Sequence, residues 1–212
     1  MVGKGNYSFD RLNHETMKLA DSFYQRTNVV MIARELLGKV LFTNVNGIVT
    51  GGMIVETEAY SWKEKGCHAY GPKKTARNAV MFEAGGHTYV YLCYGMHYLF
   101  NIVTNQPDIP EAVLIRAVEP VHGVEEMYLR RGTLKNGFHL TSGPGKLTKA
   151  MGIDRKLNGK FLQGSEVWVE DRGHGISKRN IIASPRIGID YAGEDALLPW
   201  RFTVKGNEWI SK

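Results

Sequence analysis

The sequence predicts an α+β fold, a single compact domain with a curved, mostly antiparallel sheet and peripheral helices. Three observations point there. Strand-like and helix-like stretches come in blocks, without the β–α–β alternation that a parallel sheet requires. Asn46-Gly47 joins two β-patterned runs, the strongest short hairpin signal a sequence can carry. Gly51-Gly52 falls inside the second run, where glycines mark a bulge that bends a strand. At 212 residues and 43% hydrophobic, the chain is long and apolar enough for one proper core.

The elements follow in order. Residues 1–28 read as an N-terminal extension with one helix, suggested by Met17, Leu19, Ala20 and Phe23. Residues 29–212 form the main domain. Its first helix is capped by Thr27 or Asn28, buries Val29, Val30, Ala33, Leu36 and Leu37, and stops at Gly38. Strands are expected at Lys39–Asn44 and Ile48–Ala59. A polar, lysine-bearing loop runs from Ser61 to Ala79, and loops of that length inside compact domains are usually functional or disordered. Strands resume at Thr88–Cys93, Leu99–Thr104 and Ala112–Val118. Pro120 is expected to open a helix running to Arg131, with Val121, Val124, Met127 and Tyr128 as its buried stripe. A short helix follows Ser142-Gly-Pro-Gly-Lys146, and further strands are expected at Glu166–Glu170, Pro185–Ile189 and Arg201–Val204.

Charge and composition narrow the chemistry. A formal net charge of +6 favours polyanionic partners. Cys67 and Cys93 fit neither metal nor redox spacing and imply a reducing compartment. Met1 to Asn13 is polar and glycine-bearing where a secretory signal needs an unbroken apolar run, and no stretch is long enough to span a bilayer. A cytoplasmic, monomeric protein without cofactor, metal or membrane partner is expected.

The residues that could do chemistry cluster in a few motifs. In Val55-Glu-Thr-Glu-Ala-Tyr60, alternation puts Glu56, Glu58 and Tyr60 on one strand face together with Ile54. A carboxylate at a strand end beside a pocket can take a proton from water and face a developing cation. Pattern alone does not choose between the two acids, and a solvated sheet edge would look the same. In Tyr89-Val-Tyr-Leu-Cys-Tyr94, Tyr91 and Tyr94 leave on opposite sides unless the chain bends at Gly95. Tyrosines are ordinary strand residues, yet such rings can also grip a flat base, and each stacked base gains about 1–3 kcal/mol. His68 lies in the polar loop without a second histidine at metal spacing. Arg77, Lys73 and Lys74 beside it read as phosphate contacts. Arg116 interrupts the apolar strand Val113–Val118 and needs a partner there, and Asn101 is a polar group in another apolar run. Ser142-Gly-Pro-Gly-Lys146 leads into a helix N-terminus that attracts phosphate. Leu140 and Leu147 break the nucleotide-hydrolase pattern at that loop, so a DNA phosphate held with Lys146 suits it better.

Together these motifs resemble the mammalian-type alkyladenine (3-methyladenine) DNA glycosylases. The match runs from about Val29 to Ser211. It rests on Ala33-Arg34 with Leu37-Gly38, Val55–Tyr60, Arg77-Asn78 with Met81-Phe82, Tyr89-Val-Tyr91, Tyr94-Gly-Met96, Leu114–Pro120 and Ser142-Gly-Pro144. The resemblance implies that Glu58 is the general base and that Arg116 sits beside the catalytic water. It implies that Tyr60, His68 and Tyr91 enclose a flipped base, and that Asn101 hinders purines with a 2-amino group. Tyr94, with Met96 beside it, would enter the duplex in the base's place. Lys146 and Arg155 would contact phosphates, and the partner would be double-stranded DNA holding a damaged purine. Lys63 and Lys65 in a shortened loop, and His97 after Met96, depart from the mammalian pattern and put the lesion preference in question. Two other classes use similar residues: a non-catalytic nucleic-acid-binding module, and a carbohydrate hydrolase with Glu56 and Glu58 as an acid pair.

Overall fold

The computed structural model describes residues 17–132 and 137–211. The polar, glycine-bearing stretch Met1–Asn13 lies outside them.

Among the described residues, the short helices α1 (Asp21–Tyr24) and α2 (Val29–Glu35) precede the sheet. The Asn28 side chain accepts a hydrogen bond from the Met31 amide, so it is the cap of α2. Among the described residues the expected first amphipathic helix is interrupted between Met17 and Asp21. Lys18 forms a bridge to Glu170 and the Leu19 amide donates to the Val169 carbonyl, so a sheet edge holds this stretch extended until Asp21. Leu19 and Tyr24 are buried in the main core.

Eight strands form one sheet in the order β3-β4-β5-β2-β1-β6, and the paired β7 and β8 join it through β2. They are β1 (Val40–Val45), β2 (Ile48–Ser61), β3 (Thr88–Cys93), β4 (His97–Thr104), β5 (Glu111–His122), β6 (Val167–Glu170), β7 (Ile181–Ser184) and β8 (Arg201–Val204). Every pairing is antiparallel. Asn46 and Gly47 both have positive φ, 55° and 81°, as a two-residue hairpin turn matched to strand twist requires.

The long strand β2 organises the molecule. Up to Met53 its outer edge pairs with β1, and from Glu56 to Glu58 the same strand pairs with β8. Its register against β5 shifts between Gly51 and Gly52 and again between Ile54 and Thr57. The glycines are required by close packing: a Cβ on Gly51 would lie 2.4 Å from the Phe42 ring, and one on Gly52 2.5 Å from Val118. The second shift breaks the expected alternation. Ile54 packs in the main core with Ala59, and Glu56 and Glu58 turn to the opposite face.

Helices α3 (Val124–Arg131) and α4 (Pro144–Met151) complete the main core, where α2 and α4 cover Phe100, Val113, Ile115 and Phe202. A smaller cluster of Cys67, Met81, Phe82, Tyr89, Val103 and Ala112 lies under the Ser61–Ala79 loop. Two expectations fail at prolines. Pro120 does not open a helix; it lies in β5 opposite Gly52, where the ladder is already irregular and tolerates a residue without an N–H. The turn at Gly123, with φ 64°, opens α3 instead. Pro185–Ile189 is likewise not a strand, because β7 ends at Ser184 and the Ile187 amide turns to the Glu58 side chain.

Candidate active site

Two carboxylates lie side by side on β2 with no solvent exposure, and one guanidinium joins them. Arg116 donates from Nε to Glu56 (2.8 Å) and its Nη1 lies 3.2 Å from Glu58. Burial works against the Arg116 charge, but Glu58 and Glu56 outweigh it and raise its pKa. Burial also raises the Glu56 pKa, yet Arg116, Ser211 and Arg201 together hold it below the ordinary carboxylate value.

The hydrogen-bond inventory separates the two acids, which strand alternation leaves equivalent. A carboxylate offers about four acceptor sites. Glu56 accepts from Arg116 Nε, from Arg201 Nε (2.7 Å), and from the amide (2.6 Å) and hydroxyl (2.7 Å) of Ser211. Three of these four donors converge on Oε1 and one reaches Oε2. Glu58 accepts from the Tyr60 hydroxyl (2.7 Å) and the Ile187 amide (2.8 Å), with Arg116 beside the same oxygen as Ile187. One site on Oε2 is left for a further donor such as water.

In front of Glu58 opens a cleft of about 750 Å³, in the range of small-ligand sites. Tyr60, His68, Arg77, Tyr91, Tyr94, Asn101, Arg116 and Lys146 all line it, so the structure brings these sequence-predicted residues together. Glu58 itself sits just behind Tyr60 and Arg116. The aromatic wall is tightly built. His68 meets Tyr91 edge-on at 4.6 Å, Tyr89 and Tyr91 lie 5.2 Å apart, and His68 Nδ1 is 3.0 Å from the Tyr89 hydroxyl. Burial against these rings, aided by the Arg77 charge, pushes the His68 pKa down to about 4 and keeps the ring neutral. Burial pushes the Tyr89 hydroxyl up to about 12 and Tyr91 higher still. Burial and the Glu58 charge likewise raise Tyr60, which stays a hydrogen-bond donor. Asn101 is buried and donates to the Tyr89 carbonyl (3.0 Å), which fixes its orientation at the cleft.

Tyr91 and Tyr94 reach the same cleft because the chain bends at Tyr94 itself (φ 50°) and at Gly95 (φ 68°). Cys93 pairs with His97, so residues 94–96 form the tip of a hairpin. Tyr94 there is 87% exposed and Met96 71%, large apolar side chains with no core to enter. Met96 does not line the cleft. Arg155 does not either; it stands exposed on the short 3-10 turn Arg155–Leu157, which packs near β3. Lys146 lies in the first turn of α4, capped by Gly143 and opened by Pro144. Among the described residues no group of three or more His, Cys, Asp or Glu is placed to hold a metal ion, and no helix is long and apolar enough to cross a membrane.

Sequence reasoning missed Arg186, Ile187, Arg201 and Ser211. A signal existed for part of this set. Two acids on a buried strand need more positive charge than Arg116 alone supplies, so a second arginine was called for. The Ile187 amide and Ser211, which donates from both its amide and its hydroxyl, gave no such signal, since both are brought in from distant segments.

Comparison with known proteins adds an independent line. The profile of the family described as methylpurine-DNA glycosylase (MPG) matches residues 22–208. A protein of Clostridium acetobutylicum named "Putative 3-methyladenine DNA glycosylase" is 46% identical over 206 residues, covering 92% of this chain and 98% of that protein. Proteins of the same name from Natranaerobius thermophilus and Carboxydothermus hydrogenoformans are 45% and 46% identical, covering 92% of this chain and 99% and 100% of theirs. With nearly its whole length matched, this chain belongs to the methylpurine-DNA glycosylase family.

Proposed function

We propose that the protein is a monofunctional, monomeric DNA glycosylase that removes alkylated or deaminated purines from double-stranded DNA. Membership of the family supports the reaction class. The observation that carries the mechanism is Glu58 held by three donors, against four at Glu56, with room on its Oε2 for a water behind an aromatic cleft.

The lesion would leave the duplex as Tyr94, the exposed ring at the hairpin tip, takes its place in the stack. Extruding a base costs a few kcal/mol, and contacts with the rings of Tyr60, His68 and Tyr91 offset much of it at about 1–3 kcal/mol per stacked base. Neutral His68 can give or take one hydrogen bond without adding charge beside a cationic purine. Asn101, fixed by the Tyr89 carbonyl, would crowd a 2-amino substituent. Arg77 and Lys146 at the rim, with Met96 and Arg155 outside it, would meet the DNA backbone.

Glu58 then takes a proton from a water bound at its free site, and the water attacks the anomeric carbon. Oxocarbenium character develops at that carbon, and the Glu58 charge stabilises it, as in glycoside hydrolysis. Arg116 bridges the two acids and holds Glu58 in place. An alkylated purine already carries positive charge, so it departs without a strong acid. Residues 1–28 would be an extension to the catalytic unit 29–212.

The test is product analysis on duplexes containing 3-methyladenine, 7-methylguanine or hypoxanthine. Free base and an alkali-labile abasic site should appear, with the strand intact until alkali is added. Bound lesion DNA with no base released from any of them would instead favour a binding module.

A further inference from the structure

Behind the base-stacking face of Tyr60 lies a second ion pair that the reaction above does not use. Arg186 is fully buried, and its guanidinium reaches four parts of the molecule at once. Nη1 donates to Glu64 Oε1 (2.7 Å) and to the Ala59 carbonyl (2.9 Å), and Nη2 donates to Glu64 Oε2 (2.7 Å) and to the Asp195 carbonyl (3.0 Å). The same plane lies 4.7 Å from the centre of the Tyr60 ring and 5.3 Å from that of Trp200. Glu64 accepts in addition from the Gly66 amide (2.7 Å) and sits, also buried, in the loop that carries His68.

The pair is placed where it governs the site. Ala59 immediately precedes Tyr60, whose hydroxyl holds Glu58 Oε2. Ile187 immediately follows Arg186, and its amide holds Glu58 Oε1. One clamp therefore fixes the rear of the stacking ring, the His68 loop and two of the donors that orient the proposed base. A bidentate arginine–carboxylate pair sets geometry in a way a lysine does not reproduce. Removing one partner of a buried pair leaves an uncompensated charge and is strongly destabilising, so the segments this pair joins are held to it.

We propose that Arg186 and Glu64 are positioning residues of the glycosylase site, fixing Glu58 and Tyr60 through the Ile187 amide and the ring's rear face. This rests on the reading of Glu58 as the base. Misplacing a reacting group by about 1 Å can cost about 100-fold in rate, so the effect should be large without any contact to substrate.

Two measurements test it, on Arg186→Lys and on Arg186→Gln combined with Glu64→Gln, which leaves no buried charge unpaired. With enzyme in saturating excess over lesion duplex, the single-turnover rate constant does not depend on the folded fraction, whereas the amplitude does. The rate constant should fall about 10- to 100-fold at near-full amplitude. Hydrogen exchange at the Ile187 amide should accelerate at least tenfold while the amides of β2 and β5 keep their protection. A normal rate constant with only a reduced amplitude, or unchanged Ile187 protection, would show that the pair merely holds the fold. Failure of the wild-type protein to release base overturns the function instead, and leaves the exchange result to decide the clamp.

Discussion

Glu56 and Glu58 differ in what surrounds them and in nothing else. Both are buried, both bond Arg116, and strand alternation treats them alike. Glu56 also accepts from Arg201 and Ser211, 145 and 155 residues away along the chain, and becomes the anchor of the cluster. Its lowered pKa has a consequence with a definite sign. A group whose folded pKa lies below its ordinary value contributes stability above that value and loses it as pH falls through the folded pKa. Thermal stability should therefore decline below about pH 4.5, the ordinary glutamate value. Glu56→Gln should lose about 3–5 kcal/mol at pH 7, because it leaves Arg116 and Arg201 partly uncompensated, and should flatten that acid decline. Melting curves from pH 3 to 7 check both parts, and an acid profile identical in the two proteins would contradict this role. The residue types at the site were legible in the sequence: the acids, the tyrosines, Arg116 in its apolar strand and Asn101 all line or back one cleft. The choice between the acids was not legible from pattern, because their surroundings depend on donors that only folding delivers; the family resemblance named Glu58.

At the scale of elements, β2 explains both the successes and the failures. Asn46-Gly47 and Gly51-Gly52 placed the hairpin and the bend from local chemistry alone. The change of partner from β1 to β8 at Glu56 has no local signal, since β8 begins more than 140 residues later. That exchange turns Glu56 and Glu58 away from the face of Ile54. Pro120 misled because a proline after an apolar strand resembles a helix start, whereas here the glycine opposite lets it stay in the ladder. Pro185 misled in the other direction, hiding the irregular segment that supplies Arg186 and the Ile187 amide. The bend itself is testable. Gly51→Ala would push a methyl group into the Phe42 ring, which stacks on Trp168 at 5.4 Å. Overpacking of this kind costs about 1–3 kcal/mol. The urea midpoint should fall accordingly, and an unchanged midpoint would show that the ring moves freely.

Across the whole molecule, the site is assembled from segments spread between Glu56 and Ser211. The stacking wall comes from β2, β3 and the Ser61–Ala79 loop, the arginine from β5, the basic rim from α4, and the closing donors from residues 186–211. One sheet brings them together, with the main core on one side and the cleft and its small cluster on the other. The basic balance of +6 suits a polyanionic partner without naming it. The claim on which the rest depends is that Glu58 activates the attacking water. The direct measurement is single-turnover excision of hypoxanthine or 7-methylguanine by Glu58→Gln, with lesion-duplex affinity measured alongside. A fall in rate of about 10²- to 10⁴-fold with affinity retained is the expected result, and near-normal excision by that variant would contradict it.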